Sequence, residues 1–248
     1  RLPKWAGELY LEFHRGTLTA QARNKKYNRK SELLYHDAET VCKLAQELVG
    51  ADYPAADILE AWKIILLNQF HDIIPGSSIA AVYEDSKEQY EQILADGHAM
   101  IDKALTAIAD GICITQDSVI VFNTLGYDRD DVVLCDLPEN MIVCDTDGTA
   151  LPCQKTHDGK TAFLAKGVPA KGYKAFRLQE GTACDCGKLV FEDNTVDSKF
   201  YTVVFDANMN ICHLLHKASG HSVAPEGQLL NRLIAYEDRP HNHEAWDI

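Results

Sequence analysis

The hydrophobic period of this chain changes once, at Gly111, and that change limits the folds open to it. Upstream, apolar residues recur every three or four positions, the spacing that places them on one face of a helix. Leu34, Ala38, Val41, Ala45 and Leu48 predict a helix from near Ser31 to a stop at Gly50. Ile58, Leu59, Trp62, Ile65, Leu66 and Phe70 predict a second, opened by Pro54 and running to about Asp72, since proline suits a first helical turn. A third is predicted after Ser77-Ser78, a good N-cap pair, with Ile79, Val82, Tyr83, Tyr90, Ile93, Leu94, Met100, Ile101, Leu105 and Ile108 on its apolar face. Three such stripes with short Gly- or Pro-marked connections predict a small antiparallel bundle.

Downstream the pattern is that of strands. SVIVFNTLG, DVVLCDLP, AFLAKGVPAKGYKAFRL and KFYTVVFDANMNICHLLH are short β-branched or aromatic runs bounded by Gly, Pro, Asn and Asp, which predicts antiparallel, sandwich-like structure. The polar QEGTACDCG near 179–187 suits a boundary between two β units. At the other end, ELYLEFHRGTLTAQ alternates apolar and polar and turns at Gly16, which predicts a strand entering a loop. Basic NKKYNRK reads as a connector.

With 248 residues, 46% hydrophobic and 25% charged, the composition is that of a globular protein able to bury a sizeable core. A formal net charge of −13 argues against nucleic acid or anionic lipid as a partner, because both require Lys and Arg to replace counterions. No apolar run approaches the roughly 18 residues of a membrane helix. The eight cysteines, at 42, 113, 135, 144, 153, 184, 186 and 212, include no C-x-x-C pair. Scattered thiols fit structural burial in a reducing, cytoplasmic compartment. Arg1 and the closing EAWDI read as the ends of an internal piece of a longer protein.

LLNQFHDIIPGSS carries the most specific chemistry. An imidazole at a helix end is a common metal ligand, and an adjacent carboxylate can ligate or hydrogen-bond a substrate hydroxyl. The competing reading has His71 capping helix carbonyls and Asp72 facing solvent. His213-x-x-His216 and His241-Asn-His243 are weaker candidates. Trp5, Trp62 and Trp246 could offer aromatic stacking platforms, although Trp62 sits in a core stripe.

LLNQFHDIIPGSSIAAVYEDS resembles the helix-bundle motif of the glycoside hydrolase family 38 α-mannosidases, and GELYLEFHRGTLTAQARNKKYNRKSELL resembles the segment closing that family's catalytic barrel. VFNTLGYDRDDVV, VPAKGYKAF, FYTVVFDANMNICHLLHKASG and YEDRPHNHEAWDI are similar, in order, to landmarks of its β domains. The His-Arg-Gly-Thr form resembles the cytosolic and vacuolar branch. The resemblance implies an α+β multidomain chain: residues 1–29 as a terminal piece of the β/α barrel, 30–111 as a three-helix bundle, 112–180 as a small β-sandwich, and 181–248 as the start of a large C-terminal β-sandwich.

It also implies a retaining, zinc-dependent α-mannosidase acting on α-mannoside oligosaccharides. His71 would be one zinc ligand and Asp72 a substrate contact, with His14 and Arg15 lining the sugar subsite. Retaining glycosidases use a carboxylate nucleophile and an acidic proton donor. No stretch here matches the family's motifs for these or for the remaining zinc ligands. Glu12, Asp37 and Asp128 read as surface or structural groups, so the chain alone is expected to be inactive. Two other readings stay open: a non-catalytic carbohydrate-binding or scaffold module, and a mannosylglycerate-type hydrolase of the same family. Homo-oligomerisation is left open.

Overall fold

The computed structural model describes residues 2–4, 6, 14–182, 189–239, 241–243 and 245–246. The predicted strand over residues 8–13 lies outside them, as do Trp5, Glu12, Cys184 and Cys186.

Three helices come first: α1 (Ala22–Val49), α2 (Ala55–Asn68) and α3 (Ala80–Asp110). Their shared core is Tyr35, Ala38, Ile58, Ala61, Ile65, Tyr90 and Ile93, all nearly or fully buried. The helix predicted from Ser31 begins nine residues earlier, so NKKYNRK is helix and not a connector. The inward positions at this end of α1 are polar, and an apolar stripe could not reveal them. Asn24 is buried and accepts from the Ser86 hydroxyl at 2.5 Å, and Asn28 accepts from Gln69 at 2.9 Å and Tyr90 at 3.3 Å. Gly50 ends α1 in the left-handed region at φ +71°, a conformation glycine adopts without steric cost. Leu48, assigned to the apolar stripe, is exposed.

The second helix is shorter than its pattern suggests, ending at Asn68 and not near Asp72. There the buried Asn68 amide returns to the Ile64 carbonyl at 3.0 Å and donates to Gln89 at 2.8 Å. The Gln69 amide bonds Asn28 and Glu32 of α1. These side-chain bonds compete with continuation of the helix, and Phe70 already closes a tighter bond to Leu67. The third helix is capped by Ile79 without a side-chain bond. Ser77 and Ser78 instead donate their hydroxyls to the Asp72 carbonyl, at 3.4 and 2.7 Å, so they serve the preceding turn.

The β region follows as expected, in three antiparallel sheets. Strands β1 (Ser118–Asn123), β3 (Met141–Cys144) and β6 (Gly172–Glu180) form one, ordered β1-β6-β3. Strands β2 (Arg129–Cys135), β4 (Cys153–Lys155) and β5 (Thr161–Val168) form a second, ordered β2-β5-β4. The two enclose a core of Val143, Cys153, Phe163, Ala165, Val168 and Phe176, in which Phe163 and Phe176 meet edge-on at 5.3 Å. A five-stranded meander closes the chain: β7 (Val190–Glu192), β8 (Thr195–Asp197), β9 (Tyr201–Phe205), β10 (Ile211–His216) and β11 (His221–Ser222). Phe122 of β1 packs onto the helical cluster of Val41, Cys42, Ala45, Ala104 and Ile108, tying the first sandwich to the bundle.

Candidate functional site

His71 and Asp72 lie in the turn after α2, not in its last helical turn. The turn is built from consecutive short bonds: Ile73 and Ile74 donate to the Phe70 carbonyl at 2.8 and 3.0 Å, and Gly76 donates to Ile73 at 3.1 Å. From the α3 side, Tyr83 donates its hydroxyl to the Ile73 carbonyl at 3.1 Å and accepts from the Ser78 N–H at 3.0 Å. From the α1 side, the Lys25 ammonium donates to the carbonyls of Ala20 and Ile74, the latter at 2.7 Å. Gly76 is buried against Ala20.

The backbone of the turn is therefore fixed on two flanks while the His71 and Asp72 side chains face outward. The His71 and Asp72 side chains are 77% and 55% exposed, with Nε2 of one 3.4 Å from Oδ2 of the other. The Phe70 ring lies 4.2 Å from the His71 ring. Among the described residues no helix carbonyl is capped by His71.

His14 and Arg15 precede a single 3-10 turn at Gly16–Leu18. Both are exposed and Gly16 is buried. The Thr17 hydroxyl returns to the His14 carbonyl at 2.7 Å. The Gly16 N–H donates to the Trp246 carbonyl at 2.7 Å, and the Trp246 ring meets His14 edge-on at 5.1 Å. Thr19 and Ala20 donate back to the Gly16 carbonyl, at 3.0 and 2.7 Å. The segment thus folds onto itself and reaches Lys25 and Gly76 through Ala20. The structure brings the backbone that follows His14-Arg15 against the turn that carries His71-Asp72.

Two contributors escaped sequence reasoning. Lys25 sits in what looked like a basic connector, and only contact with Ile74, far along the chain, gives it a role. Trp246 could be offered only as a loose sugar platform, because no local pattern joins it to His14. Trp62 is half-buried in the bundle and donates its indole N–H to Glu39 at 2.7 Å, as its stripe predicted. His213 and His216 lie on β10, where His216 contacts Ser219 at 2.7 Å. Asp128 accepts the Ala170 N–H at 2.9 Å and Asp37 lies beside His36, both structural or surface roles.

Among the described residues no group of three or more His, Cys, Asp or Glu could hold a metal ion. His71 with Asp72 fits as an edge contribution to a metal site completed by other groups: an exposed imidazole nitrogen and an adjacent carboxylate on a fixed backbone. A cavity of about 750 Å³ lies elsewhere, among the three helices beside Tyr35, Ala61, Asp96 and Met100. It contains neither His71 nor His14.

A family model for the "Alpha mannosidase middle domain" matches residues 12–108, a span holding His14, Arg15, His71, Asp72 and all three helices. The whole chain aligns with mouse "Alpha-mannosidase 2C1" at 31% identity over 265 positions, covering 23% of that protein. The chain belongs to the glycoside hydrolase family 38 α-mannosidases.

Other family members agree. An "Alpha-mannosidase" of Saccharomyces cerevisiae is 42% identical over 107 residues, covering 42% of this chain and 10% of that protein. The crystal structure of an α-mannosidase from Enterococcus faecalis V583 superposes with a TM-score of 0.65 at 21% identity, over 84% of this chain and 29% of that one. The chain thus spans about a quarter of the length of curated family members such as the mouse protein. Among the described residues no helix is long and apolar enough to cross a membrane.

Proposed function

We propose that this chain supplies the middle region of a zinc-dependent retaining α-mannosidase that hydrolyses terminal α-D-mannosides in oligosaccharides, in the cytoplasm. In this reading the chain divides as 1–29, 30–111, 112–180 and 181–248, with the first unit joining a catalytic barrel. The bundle carries one edge of the active site. The observation that carries this reading is the turn after α2. Its backbone is held by Tyr83, Lys25 and Gly76 while His71 and Asp72 remain exposed.

His71 would give an imidazole nitrogen to the zinc, whose other ligands come from outside this chain. The bound ion would supply Lewis-acid attraction for sugar hydroxyls and so favour a distorted ring. The carboxylate of Asp72 accepts a hydrogen bond from a mannose hydroxyl, a charge-assisted contact stronger than a neutral one. His14 lines the sugar subsite beside Trp246, and Arg15 contacts the leaving group. The nucleophile and proton donor of the two-carboxylate scheme are contributed from outside, so the chain alone is inactive.

The test is His71→Ala in the full-length enzyme, with zinc content and turnover of an aryl α-mannoside measured together. The expected result is loss of zinc and a fall in activity by orders of magnitude. Wild-type activity in this variant would sink the metal assignment.

A further inference from the structure

The two segments that carry the candidate side chains are joined through one ammonium group. Lys25 stands in the first turn of α1 and donates to the carbonyls of Ala20 and Ile74. Ala20 closes the turn that follows His14-Arg15, where its N–H bonds the Gly16 carbonyl. Ile74 lies two residues after Asp72, with its own N–H on the Phe70 carbonyl. Both carbonyls lie outside the helices and need a donor from elsewhere. An ammonium carries three donors on a flexible stem, so one group can serve both. Lys25 is half-buried, and burial lowers its pKa below the ordinary lysine value. A surface lysine would keep its full hydration. This one exchanges part of it for two charge-assisted bonds, which are worth having only if both carbonyls stay in place. Gly76 pressed on Ala20 removes the slack that would let one segment move without the other.

We propose that Lys25 is the positioning residue that locks the His71-Asp72 turn to the His14-Arg15 segment, so that both halves of the site move as one body. The proposal rests on the active-site reading above only for its consequence in catalysis; the lock itself is a property of this chain. A neutral side chain of similar length fills the space but leaves two carbonyls without a donor. An arginine keeps the charge and the donors at the cost of a broader head group, so it preserves part of the lock.

The experiment is amide hydrogen exchange on the chain carrying Lys25→Met or Lys25→Arg. It is paired with apparent zinc affinity (zinc against a competing chelator) and kcat/KM in the full-length enzyme. In Lys25→Met the N–H groups of Ile73, Ile74 and Gly76 should exchange about tenfold faster or more, the loss expected of charge-assisted bonds. Amides around Tyr35 and Ile93 should keep wild-type rates. Zinc affinity and kcat/KM should fall together by a similar factor, with Lys25→Arg intermediate in all three. Unchanged exchange in the turn, or an increase shared equally with the Tyr35 region, overturns the lock. That outcome would leave the His71→Ala test untouched. Conversely, if His71 holds no metal, the exchange result still decides on Lys25.

Discussion

A β-carbon built on Gly76 would lie 2.7 Å from the β-carbon of Ala20 and 2.9 Å from its carbonyl carbon and oxygen. Two backbones meet there with no room for a side chain. Gly76 also sits at φ +99°, where an L side chain is strained whatever the space. Gly76→Ala should therefore destabilise the chain by about 1–3 kcal/mol and displace the His71-Asp72 turn from Ala20. Urea unfolding gives the first quantity. A midpoint equal to wild type would show that the contact is looser than described.

Asp72→Asn should separate substrate binding from metal binding. The amide keeps the shape but replaces an acceptor-only carboxylate by a neutral group, so a charge-assisted bond worth roughly 1.5–3 kcal/mol is weakened. In the full-length enzyme we expect kcat/KM to fall while zinc content stays near wild type. Loss of zinc in this variant would assign Asp72 to the metal instead.

The chain by itself should bind zinc weakly. One imidazole and one carboxylate leave a tetrahedral site half filled, whereas protein zinc sites use three or four ligands, and no such group occurs among the described residues. Calorimetric titration of the chain with zinc checks this. Tight one-to-one binding abolished by His71→Ala would mean a self-contained site.

Alkaline pH should loosen the bundle through Tyr35. The side chain is fully buried and donates to the Ile93 carbonyl at 2.7 Å. Burial, with the carboxylates of Asp96 and Asp57 adding to it, pushes its pKa up to about 12 from 10.0. The folded state thus favours the protonated phenol. Its contribution is fully present below about pH 10 and is lost as pH rises toward about 12. Tyr35→Phe should cost about 1 kcal/mol at neutral pH and flatten the decline above pH 10. Urea midpoints across that range measure it, and an unchanged slope would exclude Tyr35 as a contributor.

Most of the architecture was legible because apolar burial repeats at a fixed period. Leu34, Ala38, Val41 and Ala45 marked the inner face of α1, and Ile58 and Ile65 that of α2. Phe163 and Phe176 fell in runs that read as strands and now form the sandwich core. The start of α1 was not legible, because its inner face carries Asn24, Asn28 and Ser31, polar residues that no apolar stripe displays, and Asn24 and Asn28 meet Ser86 and Tyr90 only when α3 packs against them. The end of α2 was misplaced for the same reason: the Asn68 and Gln69 amides answer to Gln89, Asn28 and Glu32 on neighbouring helices.

The sequence by itself determined the helix-to-strand division at Gly111, the stripes that bury the bundle and the adjacency of His71 to Asp72. These are local properties, set by side-chain period and by covalent neighbours. Only the tertiary structure decided that the pair leaves the helix and sits on a turn held by Tyr83 and Lys25, and that His14 faces Trp246. Those contacts join residues far apart in the chain through single hydrogen bonds and ring edges. Such pairings have no period for a sequence to display, and they form only once the packed helices have brought the segments within reach.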